Sequence, residues 1–233
     1  MHWFFDPAIS QDSQHIAKAE LAHFKSLRIA VGEEIVVTSG AGYGFRARVL
    51  DPETGQLEII ERQDSSAERK FHLVQAIAKG GRDESALQAC TELGIASVTA
   101  LQAERSIARW DNKVPKNLER WTQIAVSATK QSQQHFLPAV EHCESVSALK
   151  PKGLGLVLDP RAPMAIAEVQ SVAEYTVVVG PEGGFSDSEI AKLEANGFLR
   201  VRLGNSILRT STAGVVAIAC LQLISGQFGE RLV

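Results

Sequence analysis

The sequence lacks the marks of several protein classes. Its three cysteines, Cys90, Cys143 and Cys220, are far apart and form no CxxC pair, so neither a disulfide framework nor a zinc site is expected. No run reaches the roughly 18 uncharged apolar residues that a membrane span needs; residues 213–224 come nearest. The start, MHWFFDP, does not resemble an export signal. These absences predict a reduced, cytoplasmic protein without a metal centre and without a membrane anchor.

Net charge is small in total but uneven along the chain. The formal value of -3 excludes a surface that is basic everywhere. Within residues 105–130, however, six basic side chains stand against two acidic ones. Such a segment is typical of a local footprint for a polyanion, and equally of a solvated helix face. On charge alone both interpretations stay open.

The spacing of apolar residues differs between the first part of the chain and the rest. Residues 1–62 carry short apolar segments separated by turn residues, which predicts a small β-barrel interrupted by a helix at 15–28. The polar stretch 61–70 has the composition of a linker. Beyond it, apolar runs alternate with helical segments, which indicates a parallel sheet covered on both faces. We therefore expect a β-barrel domain at 1–70 and an α/β domain at 71–233.

A glycine-rich loop follows one of the apolar runs, in VVVGPEGGFSDSEI at 177–190. In an open α/β sheet, ligands bind beyond the carboxyl ends of the strands, where such loops lie. Ser186 and Glu189 match a capping box that starts the next helix. The loop fits neither GxxxxGK[ST] nor GxGxxG, and Glu182 would repel a pyrophosphate. Its glycines serve either a ligand held by main-chain groups or only backbone conformation and close packing.

A second segment repeats this architecture in RLGNSILRTSTAGVVAIA, at 202–219. A strand end and a Gly-Asn turn precede the apolar pair Ile207 and Leu208, and Arg209 and a helix start rich in Thr and Ser follow. Two apolar side chains in a loop suit a purine ring better than solvent. An arginine beside them can meet a nucleic-acid phosphate or a base edge.

GPEGGFSDSE and LGNSILRTSTA, about 20 residues apart near the C-terminus, together resemble the SPOUT (trefoil-knot) class of RNA methyltransferases. More narrowly, they resemble the bacterial 16S ribosomal RNA uracil-N3 methyltransferase family. The resemblance covers nearly the whole chain: residues 79–106 are similar to that family's first strand and helix. MHWFF and the β-rich residues up to about 70 are similar to its PUA-like RNA-binding domain.

The resemblance implies a parallel sheet whose C-terminal part is threaded into a deep trefoil knot. In this family three loops at the knot hold S-adenosylmethionine, whose positive sulfonium needs no lysine, and the enzyme is a homodimer. The implied reaction is methylation of a uridine N3 in 16S rRNA of the small ribosomal subunit. The cofactor-binding residues that carry over are Leu158, Gly180, Pro181, Glu182, Gly183, Leu203, Gly204, Asn205, Ile207 and Leu208.

Arg209 is the predicted catalytic residue. Uridine N3 carries a proton at neutral pH, so the site must assist its loss or stabilise the resulting anion. Arg209 follows the cofactor loop and cannot lose its own charge. The alternative role for Arg209 is a structural salt bridge. Glu182 is a general base only if its pKa is raised; hydrogen bonding within its loop is the alternative.

Five residues are predicted to contact RNA. Arg105, Arg109 and Lys130 belong to the basic segment, and Tyr43 and Arg46 lie in the glycine-rich hairpin GAGYGFR, which is otherwise a plain turn.

The chain departs from the family pattern at several positions. Ser211 replaces a frequent glutamate, Ala89 and Cys90 stand where a basic residue is usual, and Gln134 replaces an arginine. The cofactor loops keep the pattern. The departures leave one alternative, a non-catalytic RNA-binding or ribosome-assembly factor with the same fold.

Overall fold

The computed structural model describes residues 1–65 and 70–227. These residues form two compact units. The first unit contains the described residues up to 65 together with 126–137, and the second contains 70–125 and 138–227. In the described ranges, no helix combines the length and apolarity of a membrane span.

The first unit is built on a four-stranded sheet. Its elements are β1 (His2–Phe5), α1 (Leu21–Leu27), β2 (Glu34–Thr38), β3 (Tyr43–Asp51) and β4 (Gln56–Asp64). The strands follow the order β1-β2-β3-β4; β1 pairs parallel with β2, and the remaining pairs are antiparallel. A core that includes Phe4, Phe24 and Phe45 covers one face. The mixed sheet is consistent with a separate β domain, while closure into a PUA-like barrel stays a prediction.

Two boundaries in this unit differ from the sequence-based expectation. The predicted linker at 61–70 is partly wrong, because β4 extends to Asp64, and its residues 66–69 lie outside the described ranges. The helix predicted at 15–28 is also shorter, since α1 begins only at Leu21 after a 3-10 turn at Lys18–Glu20. Near the end of β4, polar side chains face solvent on both sides of the strand. The alternation of apolar and polar residues that predicts a strand is therefore lost there.

The glycine-rich hairpin of the first unit packs against the segment that follows residue 131. Gly42 donates its N–H to the carbonyl of His135 at 2.8 Å, and Leu137 donates to the carbonyl of Gly40 at 2.9 Å. A Cβ on Gly44 would lie 2.7 Å from the His135 ring. These glycines therefore leave room for the 135–137 segment.

The second unit contains six parallel strands. Its strands are β5 (Phe71–Ala76), β6 (Ser97–Leu101), β7 (Ala139–Cys143), β8 (Leu154–Leu158), β9 (Tyr175–Val179) and β10 (Phe198–Val201). Its helices are α2 (Arg82–Glu92), α3 (Val114–Gln131, whose residues from 126 belong to the first unit), α4 (Asp187–Ala195) and α5 (Thr210–Ile224). The strand order is β10-β8-β9-β5-β6-β7. The predicted parallel α/β sheet is confirmed.

The parallel order brings three strand ends together. β8 lies between β10 and β9, and β9 pairs with β5. Because all run in the same direction, the loops that follow β8, β9 and β10 leave from one edge of the sheet. The capping box predicted for α4 is confirmed, since Ser186 Oγ accepts the Glu189 N–H at 3.2 Å and the Glu189 carboxylate accepts the Ser186 N–H at 2.9 Å.

Candidate functional site

A cleft of about 660 Å³ opens at this edge of the second unit. Its volume falls in the range of small-molecule sites, roughly 300–1,000 Å³. The walls come from the three strand-end loops, with further side chains from α2, α4 and α5. The apolar and glycine lining residues are Leu158, Pro160, Val179, Gly180, Pro181, Gly183, Gly184, Phe185, Ile190, Val201, Leu203, Gly204, Ile207, Leu208 and Ala213.

The loop after β9 is a tight turn. The N–H of Gly184 donates to the carbonyl of Pro181 at 2.9 Å, and Gly184 adopts φ +65°, a conformation that glycine takes at little cost. The exposed Arg105 donates from one guanidinium nitrogen to the carbonyls of Gly183 (3.2 Å) and Phe185 (3.3 Å). Arg105, predicted to contact RNA, therefore also fixes the glycine loop.

Glu182 is held by partners just before and at the start of α2. Its Oε1 accepts the Lys79 N–H at 3.2 Å and an Arg82 guanidinium N–H at 2.9 Å. Partial burial would raise the pKa of Glu182, but the hydrogen bonds and the Arg82 charge outweigh it, and the pKa lies below its ordinary value. A carboxylate in this state is a poor proton acceptor at neutral pH. Glu182 thus fixes its loop and does not meet the condition set for a general base.

The loop after β10 carries the predicted apolar pair. Ile207 is 83% exposed and Leu208 is half-buried, and both line the cleft. Nothing lies within 4 Å of a Cβ built on Gly204. Of the ten predicted cofactor residues, the described cleft lining includes all but Asn205, which is exposed. The loops predicted from sequence therefore meet in one site.

Arg209 ends this loop and stands at the N-cap position of α5, without a side-chain capping hydrogen bond. Its backbone is extended, with φ -67° and ψ 153°, and its side chain is exposed and lines the cleft. Among the described residues, no carboxylate forms a salt bridge with it. The alternative role, a structural salt bridge, has no support within those residues. A permanent positive charge is thus available at the mouth of the cleft.

Asp159 follows β8 and anchors its loop. The side chain is 5% exposed and accepts from Arg161 Nε at 3.2 Å and from an Arg200 guanidinium N–H at 2.9 Å. Burial would raise the pKa of Asp159, yet these hydrogen bonds lower it below the ordinary value. Arg161 also reaches Asp187 at 3.1 Å. The network joins β8 to β10 and α4, and each of its two guanidinium groups contacts at least one carboxylate.

Sequence reasoning missed several cleft residues. Arg82, Asp159, Arg161 and Thr210 line it but were not predicted. A signal existed for Asp159, since it directly follows the apolar run LGLVL, at the position where strand-end chemistry is expected. The role of Arg82 depends on contact with Glu182, 100 residues away, which no local pattern reveals.

The other predicted RNA contacts lie in different surroundings. Arg109 is exposed, with its Nε 3.5 Å from Asp111. In the first unit, Lys130 forms an ion pair with Glu20 at 2.8 Å, and Arg46 bridges Glu34 and Glu61. The half-buried Tyr43 ring lies under the Arg62 guanidinium, 4.6 Å from it.

Within the described part of the chain, no cluster of three His, Cys, Asp or Glu side chains offers a metal site.

Solved structures share this architecture. A ribosomal RNA small subunit methyltransferase E from Neisseria gonorrhoeae, bound to S-adenosyl methionine, is 28% identical with a TM-score of 0.87, covering 96% of this chain and 98% of its own. A Legionella pneumophila protein in complex with the bound cofactor SAM is 29% identical with a TM-score of 0.86, covering 95% and 96%. The fold and the cleft therefore define a methyltransferase of the SPOUT class.

The family follows from the sequence comparison. A family model described as an RNA methyltransferase domain matches residues 65–222, and the chain belongs to that family. Proteins called ribosomal RNA small subunit methyltransferase E are similar over most of their length. The Mycobacterium tuberculosis protein is 33% identical over 86% of this chain and 82% of its own. The Synechocystis protein is 33% identical over 83% of this chain and 67% of its own.

Proposed function

We propose that this protein methylates N3 of a uridine in 16S rRNA of the small ribosomal subunit, with S-adenosylmethionine as methyl donor. The observation that carries the proposal is the strand-end cleft, in which apolar walls and main-chain groups stand beside Arg209, whose side chain has no hydrogen bond or ion pair to another described residue. Relatives named ribosomal RNA small subunit methyltransferase E support the RNA class, and the Neisseria structure supports the donor.

The cleft fits an adenosine-bearing sulfonium. Ile207 and Leu208 offer an apolar slot for the adenine ring, and the open space at Gly204 admits a ligand close to the backbone. The loop at 180–184 presents carbonyl and N–H groups without a lysine, and the nearby Glu182 carboxylate is ionised because its pKa is lowered. The donor supplies an electrophilic methyl group when bound. These residues would orient it and keep water from the reacting atoms.

Arg209 is proposed to stabilise the negative charge on the target base. As the N3–CH3 bond forms, the proton on N3 must leave, and charge develops on the uracil ring before or during transfer. A guanidinium keeps its charge at every physiological pH and offers donors in a fixed plane. Glu182 is not assigned as the proton acceptor, because its pKa is lowered and its Oε1 is occupied.

Further parts of the proposal concern RNA and assembly. The exposed Arg105, which lines the cleft, and the exposed Arg109 are proposed RNA contacts. Tyr43, Arg46 and Lys130 on a PUA-like first unit are also proposed. Like Arg105 and Arg109, each would exchange an intramolecular partner for RNA.

A cytoplasmic homodimer with a trefoil-knotted second unit completes the proposal. A single exposed apolar side chain such as Leu223 on α5 is common on monomers, so the support for a second copy is the family resemblance.

Calorimetry with S-adenosylmethionine and mass mapping of ribosomal RNA test the proposal together. We expect the purified protein to bind the donor, and rRNA from cells that lack the protein to lose one N3-methyluridine. Absence of donor binding would favour the non-catalytic RNA-binding or assembly factor instead. Donor binding with every N3-methyluridine retained would reject the target nucleotide and keep the methyltransferase class.

A further inference from the structure

A buried glutamine lies beneath the cleft, outside its lining. Gln75 is fully buried on β5, next to Val179 at the end of β9. Its Nε2 donates to the Ala76 carbonyl at 3.1 Å and meets Thr210 Oγ1 at 2.8 Å. A primary amide in the sheet interior loses its hydration, so these hydrogen bonds hold it in one orientation.

The Thr210 hydroxyl extends this contact to the glycine loop. Its Oγ1 lies 2.9 Å from the carbonyl oxygen of Gly180, which can only accept. The single hydroxyl proton therefore goes to Gly180, and Thr210 must accept from Gln75. This order uses both N–H groups of the amide and leaves its Oε1 buried without a hydrogen-bond partner among the described residues.

The chain of hydrogen bonds from Gln75 through Thr210 to Gly180, called the relay below, touches two of the three loops of the proposed cofactor site. Thr210 is the first residue of α5 and directly follows Arg209, and Gly180 is the first residue of the glycine loop. Close packing also holds α5 against β5 and β9. A Cβ on Gly214 of α5 would lie 3.0 Å from Leu73 Cδ1 and 3.3 Å from Val179 Cγ2. Helix, loop and central strands thus meet with little freedom to shift.

We propose that Gln75 is a positioning residue that acts through Thr210 and fixes the glycine loop relative to Arg209. It contacts neither donor nor RNA itself, since the cleft lining does not include it within the described residues. The inference rests on the proposed methyl transfer. A misplacement of reacting groups by about 1 Å can cost on the order of a hundredfold in rate, so a buried relay at this joint affects transfer as well as stability.

The test compares Gln75→Leu, Thr210→Val and their double variant in the full-length protein. Each removes the relay while keeping a side chain of similar size. We expect the dissociation constant for S-adenosylmethionine to rise about tenfold and turnover with rRNA to fall by a similar factor in each single variant. Because both residues act through one chain of hydrogen bonds, the double variant should lose little more than either single variant.

Thr176→Val is the matched control. Thr176, like Thr210, is a buried threonine, and it lies on β9. Its Oγ1 accepts the Lys152 N–H at 2.8 Å and donates to the Lys152 carbonyl at 2.8 Å. It lies in β9 at the end opposite Gly180. Its loss should lower the melting temperature but leave donor affinity and turnover unchanged below the melting transition.

Two results would overturn the inference. The first is that Gln75→Leu and Thr210→Val lower the melting temperature but leave donor affinity and turnover unchanged, as the control does. The second is that the losses of donor affinity and turnover in the two single variants add fully in the double variant. If Gln75→Leu does not fold, Thr210→Val decides by the same readouts. Failure of the unmodified protein to bind S-adenosylmethionine would instead reject the proposed function, which keeps the two failures distinct.

Discussion

Arginines of the two units have different surroundings. In the first unit, Arg48 on β3 reaches Glu58 at 3.0 Å and Glu34 at 3.3 Å. Both carboxylates lie on neighbouring strands directly opposite it in register. Arg209 in the second unit stands on a loop, where the described chain supplies no such cross-strand partner. Register therefore pairs Arg48 with carboxylates inside a sheet. Among the strand-end loops, Arg161 is paired with Asp159 and Asp187, whereas Arg209 has no carboxylate partner in the described chain and is free for a ligand.

Glycines show the same contrast. A Cβ on Gly44 would lie 2.7 Å from the His135 ring and 2.7 Å from the Val37 carbonyl oxygen, so packing within the first unit requires its absence. Around Gly204 in the cleft, no atom of the described chain lies within 4 Å of such a Cβ. One glycine serves the fold, and the other leaves space that a ligand can occupy.

Arg209→Ala should produce the largest effect on function. We expect methyl transfer to slow by well over tenfold, about 1.4 kcal/mol or more in the barrier, because the developing anion loses its cation. Donor affinity should be retained. Arg48→Ala is the matched control and should change the rate less than about twofold, as exposed ion pairs contribute little. Single-turnover methylation of rRNA, with calorimetry for the donor, measures both.

Equal rates for Arg209→Ala and the unmodified protein would remove Arg209 from the mechanism. An equal loss of transfer rate in Arg209→Ala and Arg48→Ala would contradict the distinction between a paired and an unpaired arginine. The rate would then depend on the total charge of the protein.

Gly44→Ala and Gly204→Ala should separate stability from binding. We expect Gly44→Ala to lower the free energy of unfolding by about 2 kcal/mol, since one of its two clashing neighbours is backbone and cannot rotate away. Gly204→Ala should leave that free energy unchanged within about 0.5 kcal/mol and weaken S-adenosylmethionine binding instead. Urea unfolding and calorimetry report the two quantities.

The opposite pattern, with Gly204→Ala unstable and Gly44→Ala unaffected, would contradict this assignment of the glycines. Unchanged donor affinity in a stable Gly204→Ala protein would show that the open space is not used by the donor.

Much of the second unit could be predicted from sequence because its signals are local. Buried parallel strands read as apolar runs, and the capping box of α4 lies within four residues. The edge strand β7, AVEHC, was missed, since it is only partly buried and carries polar side chains. An edge strand lacks the covering layer that produces a continuous apolar run.

Long-range contacts explain what the sequence could not predict. The Glu20–Lys130 pair joins residues 110 positions apart, and with it the 126–137 segment belongs to the first unit. Gln75 and Thr210 are separated by 135 positions, and neither belongs to a recognisable motif with the other. Such pairs depend on tertiary packing, so the loops of the site were predictable while the side chains that fix them were not.

The smallest expected effect concerns pH and again separates the units. Burial lowers the pKa of His135 from 6.5, against the opposing charge of Asp64. Between the lowered pKa and 6.5 the unfolded chain binds more protons than the folded one, so stability of the first unit should fall as pH drops through this window. Asp159 in the second unit behaves otherwise: its pKa lies below 3.8, so its contribution is lost only at more acidic pH.

Amide exchange at about pH 7.5 and about pH 5.5, on either side of the ordinary histidine pKa and corrected for intrinsic rates, measures the difference. Protection of β2 and β3 should decrease at the lower pH, and His135→Gln should remove that decrease because glutamine does not titrate. The ring is 3.4 Å from Thr38 Oγ1 and 4.8 Å from the Trp3 ring centroid, so protonation acts within the packed hairpin. An identical pH response in the His135→Gln protein would assign the sensitivity to a different group.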